Sequence, residues 1–166
     1  MRFADLLRVT VLGSAATATL LATLTLLATS QDGVPLVATV CVAWWLVAIA
    51  AGLWTGRGRA ASPAIGRLLA SARHQTTLPE LKPASTLLNR LWALIVSTLI
   101  AAVFAFLVPQ VPGIAAGFAM LWALAWRRQH AAVTAIEERD GVRFYVDDTS
   151  PLAPIRLVRT PGLRGG

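Results

Sequence analysis

The chain has 166 residues, of which 56% are hydrophobic and only 14% charged, with a mean hydropathy of +0.64; soluble domains carry about a quarter charged residues. Several spans of about 20 residues would take up roughly half of such a chain, which excludes a large extramembrane catalytic domain. The net charge of +7 would suggest nucleic acid in a soluble protein, but a membrane protein uses cations to orient itself, and the single cysteine, Cys41, excludes an intramolecular disulfide or a cysteine metal cluster.

Four uncharged apolar runs follow in order: residues 9–29, 34–54, 91–108 and 113–126. The first two are long enough to cross a hydrocarbon core of about 30 Å at 1.5 Å per residue. The fourth is shorter, and Trp126 with the stems of Arg127 and Arg128 can extend it into the interface. The first run is longer than a signal-peptide core, and "ATS" is a weak cleavage site, so we expect it to be retained as a span. "SQDG" and "PQVP" are short turns, so each flanking pair is expected to form an antiparallel hairpin.

All fifteen Lys and Arg residues lie outside those two turns. The positive-inside rule then places both termini and the middle segment in the cytoplasm. The chain therefore reads as an all-α, four-span protein of a bacterial plasma (inner) membrane. Its arginine, alanine, glycine and proline content suits a GC-rich genome. The two halves share a layout, an arginine before the first span and Trp with Arg after the second. A duplicated hairpin has this layout, and so would any two unrelated membrane hairpins.

In the middle segment, Ser62 is a candidate N-cap and Pro63 suits the first helical turn. Ile65, Leu68, Leu69 and Ala72 follow helical spacing opposite Arg67, Ser71 and His74, which predicts an interfacial amphipathic helix over about 63–76. Arg57, Arg59, Arg67 and Arg73 are candidate contacts for anionic lipid, with topology enforcement as the alternative. After the fourth span a helix is expected to continue to a turn at Asp140-Gly141. "VRFYV" alternates Val142, Phe144 and Val146 against Arg143 and Tyr145, and "PIRLVR" reads as a second short strand. A two-stranded hairpin is marginal in water and needs something to pack on. The membrane domain is thus expected over 1–139 and a cytoplasmic tail over 140–166.

No Asp, Glu, Lys, Arg or His lies inside the four runs, which argues against a proton-coupled pump or transporter. Hydroxyl groups concentrate in the first run. Gly13, Thr17, Thr19 and Thr23, with Gly113 and Gly117 of "GIAAG", are candidate helix-packing residues. A threonine hydroxyl can bond the carbonyl one turn back, so a packing face is expected, and a pore lining is the alternative. The GxxxG pair is expected to serve packing within the chain, with dimerisation as the alternative. His74 and His130 lack neighbouring ligands, and no cofactor or metal is expected.

An accessory, scaffolding or regulatory membrane protein is the leading expectation. Its tail would dock a membrane-protein partner, or the chain's own amphipathic helix, through Phe144, Tyr145, Ile155, Arg156, Leu157 and Arg159, residue types that interfaces favour. The second expectation is a homo-oligomeric channel or transporter lined by the threonine-rich first helix. The third, a lipid-acting enzyme, would have to assemble His74, Glu80, His130 and the acids of the tail without a local motif.

Overall fold

The structure, a computed structural model, describes residues 1–31, 35–58, 60–74, 83–105, 107–108, 110–147 and 153–161. In chain order the elements are α1 (Phe3–Gln31), α2 (Pro35–Thr55), α3 (Pro63–Ala70), β1 (Arg73–His74), α4 (Pro83–Phe104), α5 (Gln110–Trp126), α6 (Gln129–Asp140), β2 (Val142–Val146) and β3 (Leu157–Pro161). The protein is mostly helical, 77%, with a small sheet. Among the described residues three helices, α1, α2 and α4, are long and apolar enough to cross a membrane. The fourth expected span corresponds to α5, which has 17 residues. The fold falls into two compact units drawn from discontinuous segments: residues 10–57 with 93–127, and residues 1–9, 58–92 and 128–166.

In the helical unit, the most extensive packing joins α2 to α5 rather than either pair of sequence neighbours. Gly113 and Gly117 of α5 stand against Cys41 and Trp44 of α2, while Gly52 of α2 and Gly56 directly after it stand against Leu121, Leu124 and Ala125 of α5. Residue numbers rise together on the two helices, so they run parallel. The same holds for α1 and α4, where Gly13 faces Leu94 and the hydroxyls of Thr17 and Thr98 meet at 3.2 Å one turn later. A core of Leu21, Cys41, Trp45, Ala101 and Ala116 takes a residue from each of the four helices.

The sheet unit is built by local signals first. Ser62 caps α3 by accepting from the Ile65 N–H, with Pro63 at the first position, where its missing N–H costs nothing. The helix is shorter than its apolar spacing suggests and ends at Ala70. Two residues of its stripe are buried within the folded chain, Ile65 at 1% and Leu69 at 9% exposure, and Leu68 and Ala72 are half-buried. The helix α6 closes at Gly141, whose φ of 63° is left-handed, a conformation that only a residue without Cβ adopts at no cost.

From there β2 alternates as its sequence predicts, Val142, Phe144 and Val146 buried and Arg143 and Tyr145 half-buried. It pairs antiparallel with β3, Phe144 opposite Arg159 and Val146 opposite Leu157. The support that such a hairpin needs comes from the middle segment: β1 adds in parallel to the other side of β3, Arg73 opposite Val158 and His74 opposite Arg159. The outer edge of β2 is covered as well. The Val146 N–H donates to the Met1 carbonyl at 3.0 Å, and Arg2 bridges to Tyr145. Covering that edge removes a template for unwanted strand pairing.

Candidate functional site

The most concentrated electrostatic feature of the sheet unit is built on α6. Its buried residues are Gln129, Ala132, Val133 and Glu137, one stripe at i, i+3, i+4 and i+8. Gln129 uses its Oε1 to accept the Ser62 N–H at 2.9 Å, which ties the start of α6 to the cap of α3. Two turns on, Glu137 brings a fully buried side chain to the edge of β2. Its Oε1 accepts the Phe144 N–H at 2.9 Å, and its Oε2 accepts from Arg2 Nη2 at 2.7 Å, with Arg143 Nη1 at 3.8 Å. The hydrogen bond to Glu137 raises the Arg2 guanidinium above its ordinary pKa, against the opposing effect of burial. A buried carboxylate is tolerated only when paired and hydrogen-bonded. Here the pairing joins the first residues of the chain, α6 and β2 at one point.

The residues expected to dock a partner divide between interior and surface. Phe144 and Leu157 are both buried at 3% exposure, Tyr145, Ile155 and Arg159 are half-buried, and Arg156 is exposed. The register sets Phe144, Leu157 and Arg159 on one sheet face and Tyr145 on the other. The segment leading into β3 is held from α4 as well, since Arg90 Nη1 donates to the Ala153 carbonyl at 2.8 Å.

Of the candidate lipid contacts, Arg57 belongs to the helical unit and lies 4.3 Å from the ring centre of Trp54, a cation–π contact next to an exposed belt residue. Arg67 and Arg73 belong to the sheet unit and are exposed. Arg59 lies outside the described residues, as do Glu80 and Asp148. His74 is exposed on β1 and His130 half-buried on α6.

In the helical unit, the hydroxyls of α1 turn back on their own helix. Thr19 donates to the Ala15 carbonyl at 3.0 Å, Thr23 to Thr19 at 2.9 Å, Thr25 to Leu21 at 2.8 Å and Thr29 to Thr25 at 2.9 Å. Thr25 and Thr29 are buried, whereas Thr19 and Thr23 are exposed. Thr17 alone among the candidate threonines bonds another helix, through Thr98. The glycine pair of α5 has a specific reason: a Cβ at Gly113 would stand 2.5 Å from Cys41 Sγ, and one at Gly117 would overlap the Trp44 indole. Two indoles complete the α2–α5 contact, Trp45 Nε1 donating to the Gly113 carbonyl at 2.7 Å and Trp44 Nε1 to the Ile114 carbonyl at 3.2 Å. Beside them runs an apolar groove of about 220 Å³ lined by Leu36, Val37, Val40, Cys41, Trp44, Gln110 and Ile114.

No family model, no curated protein and no solved structure matches this chain. Sequence reasoning passed over two features. Glu137 sits in "IEERD", which looks like a solvated charge run; the available signal was its position four residues after Val133, on the apolar stripe. The second is "GLWTG", Gly52 to Gly56, the same small-xxx-small spacing as "GIAAG".

Proposed function

We propose that this chain is a four-span integral protein of a bacterial inner membrane, with both termini cytoplasmic. In this reading it acts as a non-enzymatic accessory, scaffolding or regulatory protein, and its sheet unit is the surface that a membrane-protein partner meets. The four-span count is supported by the parallel course of α1 with α4 and of α2 with α5, which alternating spans require. It is also supported by Trp126 at the end of α5 and by Arg127 and Arg128 directly after it, whose stems can reach the interface. The cytoplasmic placement is supported by the distribution of cations.

The observation that carries the functional reading is the way the sheet unit is tied together. Residues 1–2, β1, α6 and the tail strands come from distant parts of the chain and are locked by the Arg2–Glu137 pair and the Met1 carbonyl. Such a unit offers a preformed surface, which lowers the ordering cost of association. With Phe144 and Leu157 committed to the interior, the contacting residues are Arg156, Tyr145, Ile155 and Arg159. Anionic lipid meets Arg57, Arg67 and Arg73 at the membrane surface.

The test is affinity purification of the full chain after mild extraction from its native membrane, alongside Arg156→Glu and Ile155→Asp. A co-purifying membrane protein that both substitutions release supports the reading; a partner indifferent to both overturns it. The exposure of Thr19 and Thr23, one turn apart, favours a second reading, an oligomer whose first helices line a path. Water-soluble thiol reagents would then reach cysteines placed at positions 19 and 23 of a Cys41→Ala protein, and complete protection removes that reading.

A further inference from the structure

We propose that the paired ends of α2 and α5 hold the phosphodiester of one anionic phospholipid between Arg57 and Arg127. The proposal rests on the membrane reading and adds a single stoichiometric seat to it. Segments 10–57 and 93–127, which make up the helical unit, contain two cations, Arg57 and Arg127, and one acid, Asp32. Asp32 precedes α2 in the chain and lies outside the described residues, whereas Arg57 follows the end of α2 and Arg127 the end of α5. Because these two helices run in parallel, both cations come to the same end of the pair. Backbone meets backbone there: a Cβ at Gly56 would run into the Leu124 carbonyl and stand 3.2 Å from Ala125 Cα. Arg57 is the residue after Gly56, and Arg127 is two beyond Ala125.

Each arginine is set beside an indole. Arg57 lies 4.3 Å from the ring centre of Trp54, which is 70% exposed. Arg127 follows the stacked rings of Trp122 and Trp126, centres 5.3 Å apart. It is half-buried, and its enclosed Nη1 has no hydrogen-bond partner, so packing rather than a bonded group holds it there. Tryptophans settle at the headgroup level of a bilayer, which puts the two guanidinium groups at the depth of lipid phosphates. Charge then selects the ligand. Two helix C-termini contribute roughly half a negative charge each, which leaves about one of the two positive charges unmet. A phosphodiester carries a single negative charge and oxygens that match the planar arginine fork. A zwitterionic headgroup would bring an ammonium as well, and the described residues of this unit hold no carboxylate to receive it.

The experiment uses the full chain, purified in a nonionic detergent and incubated with equal amounts of phosphatidylglycerol and phosphatidylcholine; lipid still bound after gel filtration is counted per chain. One phosphatidylglycerol should be retained, preferred by roughly thirtyfold, which at 1.4 kcal/mol per decade corresponds to about 1 kcal/mol from each arginine. Arg127→Gln and, independently, Arg57→Gln should each lower the preference roughly fivefold at an unchanged elution volume. Arg67→Gln with Arg73→Gln, which removes two exposed cations of the sheet unit, should leave it intact. Equal losses in all three variants would make the attraction diffuse and overturn the seat, as would equal retention of the two lipids; either leaves the membrane reading standing. Displacement of the bound lipid by millimolar inorganic phosphate would assign the arginines to a free anion and overturn the headgroup. Retention of neither lipid overturns the seat together with the membrane reading.

Discussion

The helical unit and the sheet unit come from one alanine- and arginine-rich chain, yet they are held together by opposite means. In the helical unit four glycines let two parallel helices touch, two indoles donate across the contact, and every hydroxyl of α1 described above is satisfied without water. In the sheet unit a fully buried carboxylate gathers an arginine, a backbone amide and a second arginine, while strand edges are covered by distant segments. The difference follows from the solvent each is suited to. Three of the helices fit a membrane location, and in hydrocarbon the hydrophobic effect between helices vanishes, so close packing of small residues takes over. In water, a charge pair and a three-stranded sheet can rest on buried apolar surface. The first unit is sensitive to added volume, the second to lost charge.

The largest expected effect comes from taking a partner away from the buried charge. Arg2→Ala removes the closest partner of the buried Glu137, leaving it the Phe144 N–H and Arg143 at 3.8 Å, and should destabilise the sheet unit by about 3 kcal/mol, read as faster limited proteolysis between α6 and β3 with the helical unit still protected. Replacing both partners, Arg2→Met with Glu137→Leu, should recover part of that loss, because an apolar pair carries no desolvation penalty while the Phe144 N–H loses its acceptor. If the double variant is as labile as the single one, the pair is not what holds the unit.

Added volume should have the next largest effect, and only in the other unit. Gly56→Ala would drive its Cβ into the Leu124 carbonyl, and Gly52→Ala would place one 2.8 Å from Leu124 Cβ and 2.9 Å from the Leu121 carbonyl. Backbone cannot yield as a side-chain tip can, so each should cost about 1–3 kcal/mol in detergent unfolding. Gly66→Ala sharpens the contrast: it lies within α3, is exposed, and has nothing within 4 Å of the new Cβ. Here the lower entropy of the unfolded chain and the better helix propensity should stabilise by about 0.5–1 kcal/mol.

The smallest expected effect separates threonines that look alike. Thr17→Val removes an interhelical hydroxyl contact and should cost about 0.6 kcal/mol, typical of such bonds in membrane proteins. Thr23→Val removes only a bond to its own helix on an exposed face and should change stability by less than about 0.5 kcal/mol. Equal losses at both positions would show that the Thr17–Thr98 contact contributes nothing of its own.

What could be read directly from the sequence was local. The apolar runs locate α1, α2, α4 and α5 because an uncharged stretch of that length has few other conformations in lipid. Ser62-Pro63 and Asp140-Gly141 mark helix ends because capping and left-handed φ are properties of single residues. The period of two in "VRFYV" predicts which side chains of β2 are buried. The candidate docking residues were less legible. Phe144 and Leu157 carry the residue types of an interface, and the same types serve an interior equally well; only the fold decides between them.

The sequence by itself determined where the helices and strands lie and which faces are apolar, since periodicity, caps and turns act over a few residues. The tertiary structure decided that α2 packs on α5, that β3 finds β1 from the middle segment, and that Glu137 is buried against Arg2 while Glu138 is exposed. Each of these joins residues far apart in the chain. Such choices are made by packing, charge pairing and hydrogen-bond satisfaction in three dimensions, and no local propensity carries them.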